Sequence, residues 1–169
     1  MKKQKTKINR QILITIVLIA LIALIGFNFE KITGGVIKHS YPIVTAYRVD
    51  SNGKEFPEQN VLTAGETVKV KVKVGDYCVA PEISFYFGGV TYSGKKTSAG
   101  PRIGTVTQKG SSRICKGDSY LINKNTFTVE YSTRPNWDGD YYARVYFWKD
   151  RSTKDYLNVY FKVKPKPNY

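Results

Sequence analysis

GETVKVKVKV, residues 65–74, reads as one β-strand with two chemically distinct faces. Val68, Val70, Val72 and Val74 project one way and Lys69, Lys71 and Lys73 the other, because successive side chains alternate along a strand. A strand that buries only one face belongs to an antiparallel sheet. The lysines keep the outer face wet and discourage pairing with a foreign chain. A solvated face is the plain reading of this ladder; a strip that binds polyanions is the other.

Working outward, the same two-residue period recurs between turn signals. Strands are expected at 43–49, 67–74, 82–87, 104–107, 126–131, 140–149 and 156–163. The turns between them include SNGK at 51–54, FGG at 87–89, SGKK at 93–96, RPNWDG at 134–139 and KDRSTKD at 149–155. Residues 94–120 are rich in Gly, Ser and Lys and are expected to hold short edge strands or one long loop. No segment after residue 40 carries an apolar period of 3.6. About seven strands of this kind predict an all-β protein of two sheets packed face to face.

One strand is unusual. DGDYYARVYFWKD, residues 138–150, puts Tyr141, Ala143, Val145 and Phe147 on one face and Tyr142, Arg144, Tyr146 and Trp148 on the other. Large aromatics therefore occupy both sides. AGETVKVKVKV followed much later by DGDYYARVYF resembles the second and sixth strands of immunoglobulin-like sandwich domains. Gly139-x-Tyr141 resembles their tyrosine corner, in which the phenol bonds back to nearby backbone. The resemblance spans residues 41–164 and implies an immunoglobulin-like antiparallel β-sandwich. It departs at Ala143, where antibody-type domains place their second core cysteine, so the inter-sheet disulfide of that family is missing. A fold of this kind carries no activity by itself.

The resemblance also sets a surface. With Tyr141 as the corner, Ala143, Val145 and Phe147 face the core, as do Leu157, Val159, Phe161, Val163, Ile83, Phe85 and Phe87. In the resembled sandwich these three strands are neighbours. Their outer faces would form one surface of Tyr86, Tyr142, Tyr146, Trp148, Tyr156 and Tyr160, edged by Arg144 and Lys162. Cross-strand aromatic pairs stabilise a sheet by about 0.2–1 kcal/mol each, which is one reason for such a face. Exposed Tyr, Trp and Arg are also the residues enriched at binding hot spots, which is another.

The chain opens differently. MKKQKTKINR carries five cations, and an apolar run over 12–29 follows, interrupted only by Thr15, Gly26 and Asn28. Eighteen helical residues span about 27 Å, close to the hydrocarbon thickness of a bilayer. Cations ahead of the run keep Met1 in the cytoplasm. A small-x-small cleavage site is poorly matched at Ala20, Ala23 and Gly26, so an uncleaved signal-anchor is expected over a released signal peptide. The expected organisation is a basic cytoplasmic tail at 1–11, a transmembrane helix at 12–29, a stalk at 30–40, the sandwich at 41–164 and a short tail at 165–169.

Net charge is +14, from 27 basic and 13 acidic side chains. Residues 1–38 hold seven of those cations and one of those acids, so 39–169 retains 20 against 12. That balance favours anionic neighbours. The cations do not cluster in one run, which argues against nucleic acid. The two cysteines, Cys78 and Cys115, are expected to pair in an oxidising compartment.

Catalytic patterns are missing. The single histidine, His39, lies in the stalk, which leaves neither a histidine-assisted nucleophile nor a zinc ligand set. GKKTSAG fits no phosphate-loop spacing, and Asp138 with Asp140 read as turn residues. No enzyme, cofactor or metal is expected. The expected role is a membrane-anchored binding or assembly module at the cell surface. Its expected partners are the bilayer and a protein, a second copy or an anionic surface polymer. A pilus-like or envelope structural subunit and a released glycan-binding module are the alternatives.

Overall fold

The computed structural model describes residues 39–167, apart from 99, 101, 109–111 and 124. The tail, the apolar run and the stalk up to residue 38 lie outside the described residues, as do 168 and 169. Among the described residues no helix is long and apolar enough to cross a membrane.

The described chain is all-β. Nine strands run β1 Ile43–Val49, β2 Glu55–Phe56, β3 Val61–Thr63, β4 Thr67–Lys73, β5 Val79–Phe87, β6 Arg102–Thr107, β7 Thr126–Ser132, β8 Gly139–Trp148 and β9 Lys154–Lys164. They form a four-stranded sheet, ordered β2-β1-β4-β7, and a five-stranded sheet, ordered β3-β9-β8-β5-β6. All seven expected strands are present, within about three residues at each end. The count of about seven is corrected to nine. β2 and β3 are two and three residues long, too short to show a period. The expectation of purely antiparallel pairing is also corrected: β3 lies parallel to β9, Val61 opposite Lys162.

The valines of β4 are the centre of the core. Val68, Val70 and Val72 are fully buried, facing Phe85, Val145 and Phe161 among the buried residues of the second sheet. Full burial of one such side chain stabilises by about 1.5–3 kcal/mol. β8 keeps strict alternation, with Tyr141, Ala143, Val145 and Phe147 buried and the residues between them only partly covered. Phe161 and Val163 of β9 follow it inward, while Leu157 and Val159 are only half-buried.

The lysine ladder is not one uniform solvated face. Lys69 is clasped by Glu55 at 2.7 Å and Glu130 at 2.9 Å, which raise its pKa above the ordinary lysine value. Lys71 and Lys73 are exposed. The described residues between 102 and 120 include edge strand β6 and a returning segment in which Ile114 is buried. Ile114 exchanges both backbone hydrogen bonds with Val79, at 2.8 and 2.9 Å. The adjacent pair Cys78–Cys115 is disulfide-bonded, with Cα atoms 4.3 Å apart. That bond ties the start of β5 to the returning segment.

Trp137, read as part of a turn, is a core residue. It is buried and stacks on Tyr141 at 4.6 Å and Tyr131 at 5.6 Å. Gly139 follows two residues on. It sits at φ +113°, and a Cβ there would run into the Val90 carbonyl and come within 2.7 Å of Thr91 Cα. Only glycine adopts that backbone without strain.

Candidate binding surface

The outer face of the five-stranded sheet is set by the registers of β5, β8 and β9. Tyr142 stands between Tyr86 of β5 and Tyr160 of β9. One row on, Arg144 stands between Ser84 and Asn158; then Tyr146 faces Tyr156, and Trp148 faces Lys154. At the other end Asp140 faces Lys162, and the two form an ion pair at 3.2 Å. Alternation puts every one of these side chains on the same side of the sheet, because paired residues on neighbouring strands share a face.

The rings make contact as a lattice. Tyr86 stacks on Tyr142 with centroids 5.0 Å apart and planes 10° apart. Tyr142 meets Tyr160 at 5.7 Å, and Tyr146 meets Tyr156 edge-on at 6.1 Å. The Arg144 guanidinium lies 4.0 Å from the Tyr156 ring centre, 5.1 Å from Tyr86 and 5.6 Å from Tyr142. Its Nε donates to Asn158 Oδ1 at 3.0 Å. A cation over an aromatic face is worth about 0.5–1 kcal/mol at an exposed site and more when desolvated. Three rings and one amide therefore hold this side chain in one place.

Arg144 was expected at the edge and is instead the centre. The reason is position: Arg144 is on the middle strand of the three, and its guanidinium lies against rings contributed by all of them. Burial works against its charge, but hydrogen bonding with Tyr146 and the neighbouring phenols hold its pKa above the ordinary value. Burial, then the hydrogen bond with Tyr146, raises the Tyr86 phenol.

Exposure grades across the face. Tyr86, Tyr142, Tyr146 and Trp148 are half-buried by one another, whereas Tyr156 and Tyr160 remain 47% and 62% exposed. Ser84 is on the outer side but covered. Lys162 is spent on Asp140 and lies off the ring lattice.

Two cations join the surface that the sequence reading did not include. Lys154 Nζ sits 4.4 Å from the Tyr146 ring centre and 5.4 Å from that of Trp148. Arg113 lies 4.3 Å over Trp148. Lys154 could have been found by parity, because it is even-numbered on β9 like Tyr156. Arg113 could not, since it arrives from the disulfide-tied segment. Tyr141, on the opposite face, is buried, and its phenol oxygen accepts the Asp138 backbone N–H at 3.3 Å.

Among the described residues no group of three or more His, Cys, Asp or Glu is placed to hold a metal. His39 stands against Tyr77, with ring centres 5.5 Å apart.

No protein-family model matches the chain. No curated protein matches it either. Among solved structures, the chain is similar to the PmoD soluble domain from Methylocystis sp. (Rockwell), at 14% identity and a TM-score of 0.44. That similarity covers 77% of this chain and 99% of the other.

Proposed function

We propose that this protein is a non-catalytic, membrane-anchored binding module that docks its partner on the outer face of the five-stranded sheet. In this reading residues 12–29 hold an immunoglobulin-like sandwich outside the cell. The observation that carries it is the ring lattice around Arg144. A face that only needed to stay wet would be served by lysine and threonine, as on β4. This one presents tyrosine, tryptophan and arginine in a fixed arrangement, the combination that gives large contact area at low entropic cost.

The immunoglobulin-like assignment is supported by connectivity. β1, β4 and β7 share one sheet, and β5, β8 and β9 share the other, as the first, second, fifth and the third, sixth, seventh strands do in that architecture. The bond from Asp138 to the Tyr141 phenol fits its tyrosine corner. The anchor is supported by the length of the apolar run and the cations ahead of it. The partner class that suits the face is a protein surface or an anionic surface polymer, because Arg144, Lys154 and Arg113 outnumber the acids among the rings.

The test uses the full chain in detergent, cross-linked to envelope extract. Tyr146→Ser with Trp148→Ser is expected to melt cooperatively and to lose the cross-linked partner. An unchanged cross-link in a folded double variant would refute the docking face. Mass spectrometry of the mature N-terminus checks the anchor: a chain beginning after residue 26 would replace it with a released module.

A further inference from the structure

The ring lattice ends in a cleft. Past the row of Tyr142 and Tyr160 comes the row of Asp140 and Lys162, and there the chain passes from Asn60 into β3. Asn60, Val61, Asp140, Tyr160, Phe161 and Lys162 line a cleft of about 330 Å³, within the size range of small-ligand sites.

The chemistry of the cleft suits hydroxyl groups. Lys162 Nζ stands 3.2 Å from Asp140 Oδ1 but off the line of a hydrogen bond, so that covered oxygen has no hydrogen-bond partner. Lys162 is the pliable half of the pair, on a flexible stem and with its side chain 46% exposed. The pair is neutral overall. An anion entering the cleft meets Asp140, and a cation meets Lys162. A hydroxyl satisfies both, because it donates to the carboxylate and accepts from the ammonium. Asn60 adds a side-chain amide, held by its bond to the Tyr160 carbonyl at 3.4 Å. The Tyr160 ring is well exposed and meets another ring only at Tyr142. Its open face can cover the flat C–H face of a sugar ring and remove apolar area from water.

The same face receives anions further along. Four residues of strand, about 13 Å, separate Asp140 from Arg144. Arg144 is held by rings and by Asn158, and Lys154 by Tyr146 and Trp148. Among the described residues neither is in an ion pair with a carboxylate. A cation over a ring keeps its charge, so an incoming carboxylate is attracted with no acid to displace. Along one strand, then, the face offers a neutral hydroxyl site, an open ring and two unneutralised cations. A linear chain of sugar residues, some of them acidic, matches that order.

Resting on the docking-face reading above, we propose that the ligand of that face is an acidic polysaccharide. A neutral sugar residue fills the Asp140–Lys162 cleft against Tyr160, and the carboxylate of a uronate residue meets Arg144.

The test is calorimetric titration of the full chain in detergent with a hexasaccharide alternating glucuronate and N-acetylglucosamine. Tyr160→Ala and Asp140→Ala, each still melting cooperatively, are expected to raise Kd by about tenfold or more. The neutral hexamer of N-acetylglucosamine is expected to bind weaker by about the same factor, because it brings nothing to Arg144. A glutamate peptide of the same charge is expected not to bind. No binding of the acidic hexasaccharide, or binding that neither substitution weakens, would overturn the proposal. Equal affinity for the glutamate peptide would overturn it in favour of an acidic protein segment, and a dimer that Tyr160→Ala dissociates would overturn it in favour of a second copy. If Tyr146→Ser with Trp148→Ser loses its cross-linked partner while the parent ignores the hexasaccharide, the docking face stands and the polysaccharide falls.

Discussion

The disulfide offers a test with a magnitude that follows from the structure. Replace Cys78 and Cys115 by alanine together. The bond closes a loop of 37 residues, and on the chain-entropy model its removal frees the unfolded chain by about 3.8 kcal/mol at 25 °C. The compact unit His39–Tyr169 has an unfolding entropy of about 0.27 kcal/mol/K at roughly 2.1 cal/mol/K per residue. The melting temperature should therefore fall by about 14 °C. The native state should change little, because Val79 and Ile114 keep their two backbone bonds and Ile114 stays buried. Differential scanning calorimetry of the double variant against the oxidised parent, in one detergent, measures the shift. Trp148 fluorescence at 25 °C checks that Arg113 still covers it. A fall below about 4 °C with unchanged fluorescence would refute the reasoning, since the loop would then be closed by its own contacts in the unfolded chain.

Other substitutions separate core from surface. Trp137→Ala removes a ring stacked between Tyr131 and Tyr141 and should cost about 3–5 kcal/mol by chemical denaturation. Tyr160→Ala, at 62% exposure, should stay within about 0.5 kcal/mol. Gly139→Ala forces a Cβ onto the Val90 carbonyl at positive φ and should cost more than about 1 kcal/mol, read as a lower denaturant midpoint at unchanged slope. Acid should destabilise in a defined direction. Burial raises the Glu66 carboxyl, but Arg48 and the Thr63 N–H outweigh it and hold the pKa below the ordinary value; Lys69 and Tyr47 lower Glu55. Groups depressed in the folded state contribute stability above their unfolded pKa of about 4.3, and that stability is lost as pH falls. The melting temperature should be flat from about pH 7 to 5 and drop below about pH 4 in a pH-scanned thermal melt.

Parity carried most of what could be read. Val68 to Val74 and Tyr141 to Phe147 announced their faces because a two-residue period leaves a strand only two ways to stand, and apolar area decides between them. The same rule grouped Tyr86, Tyr142 and Tyr156 on one side. It said nothing of β2 and β3, which hold too few residues to repeat anything. It placed Trp137 in a turn, since a turn sequence does not reveal that the chain folds its ring back under Tyr141.

The sequence alone determined which side chains of the long strands β4 and β8 go inward, that Cys78 and Cys115 pair, and that the described chain is all-β. Those are local properties of alternation and composition. Tertiary structure alone decided that Arg144 is the hub of the ring lattice and not its rim, that Arg113 caps Trp148, and that β3 runs parallel to the end of β9. Each of these depends on which strands lie side by side and how far their registers are offset, and that is set by packing between residues distant in the chain.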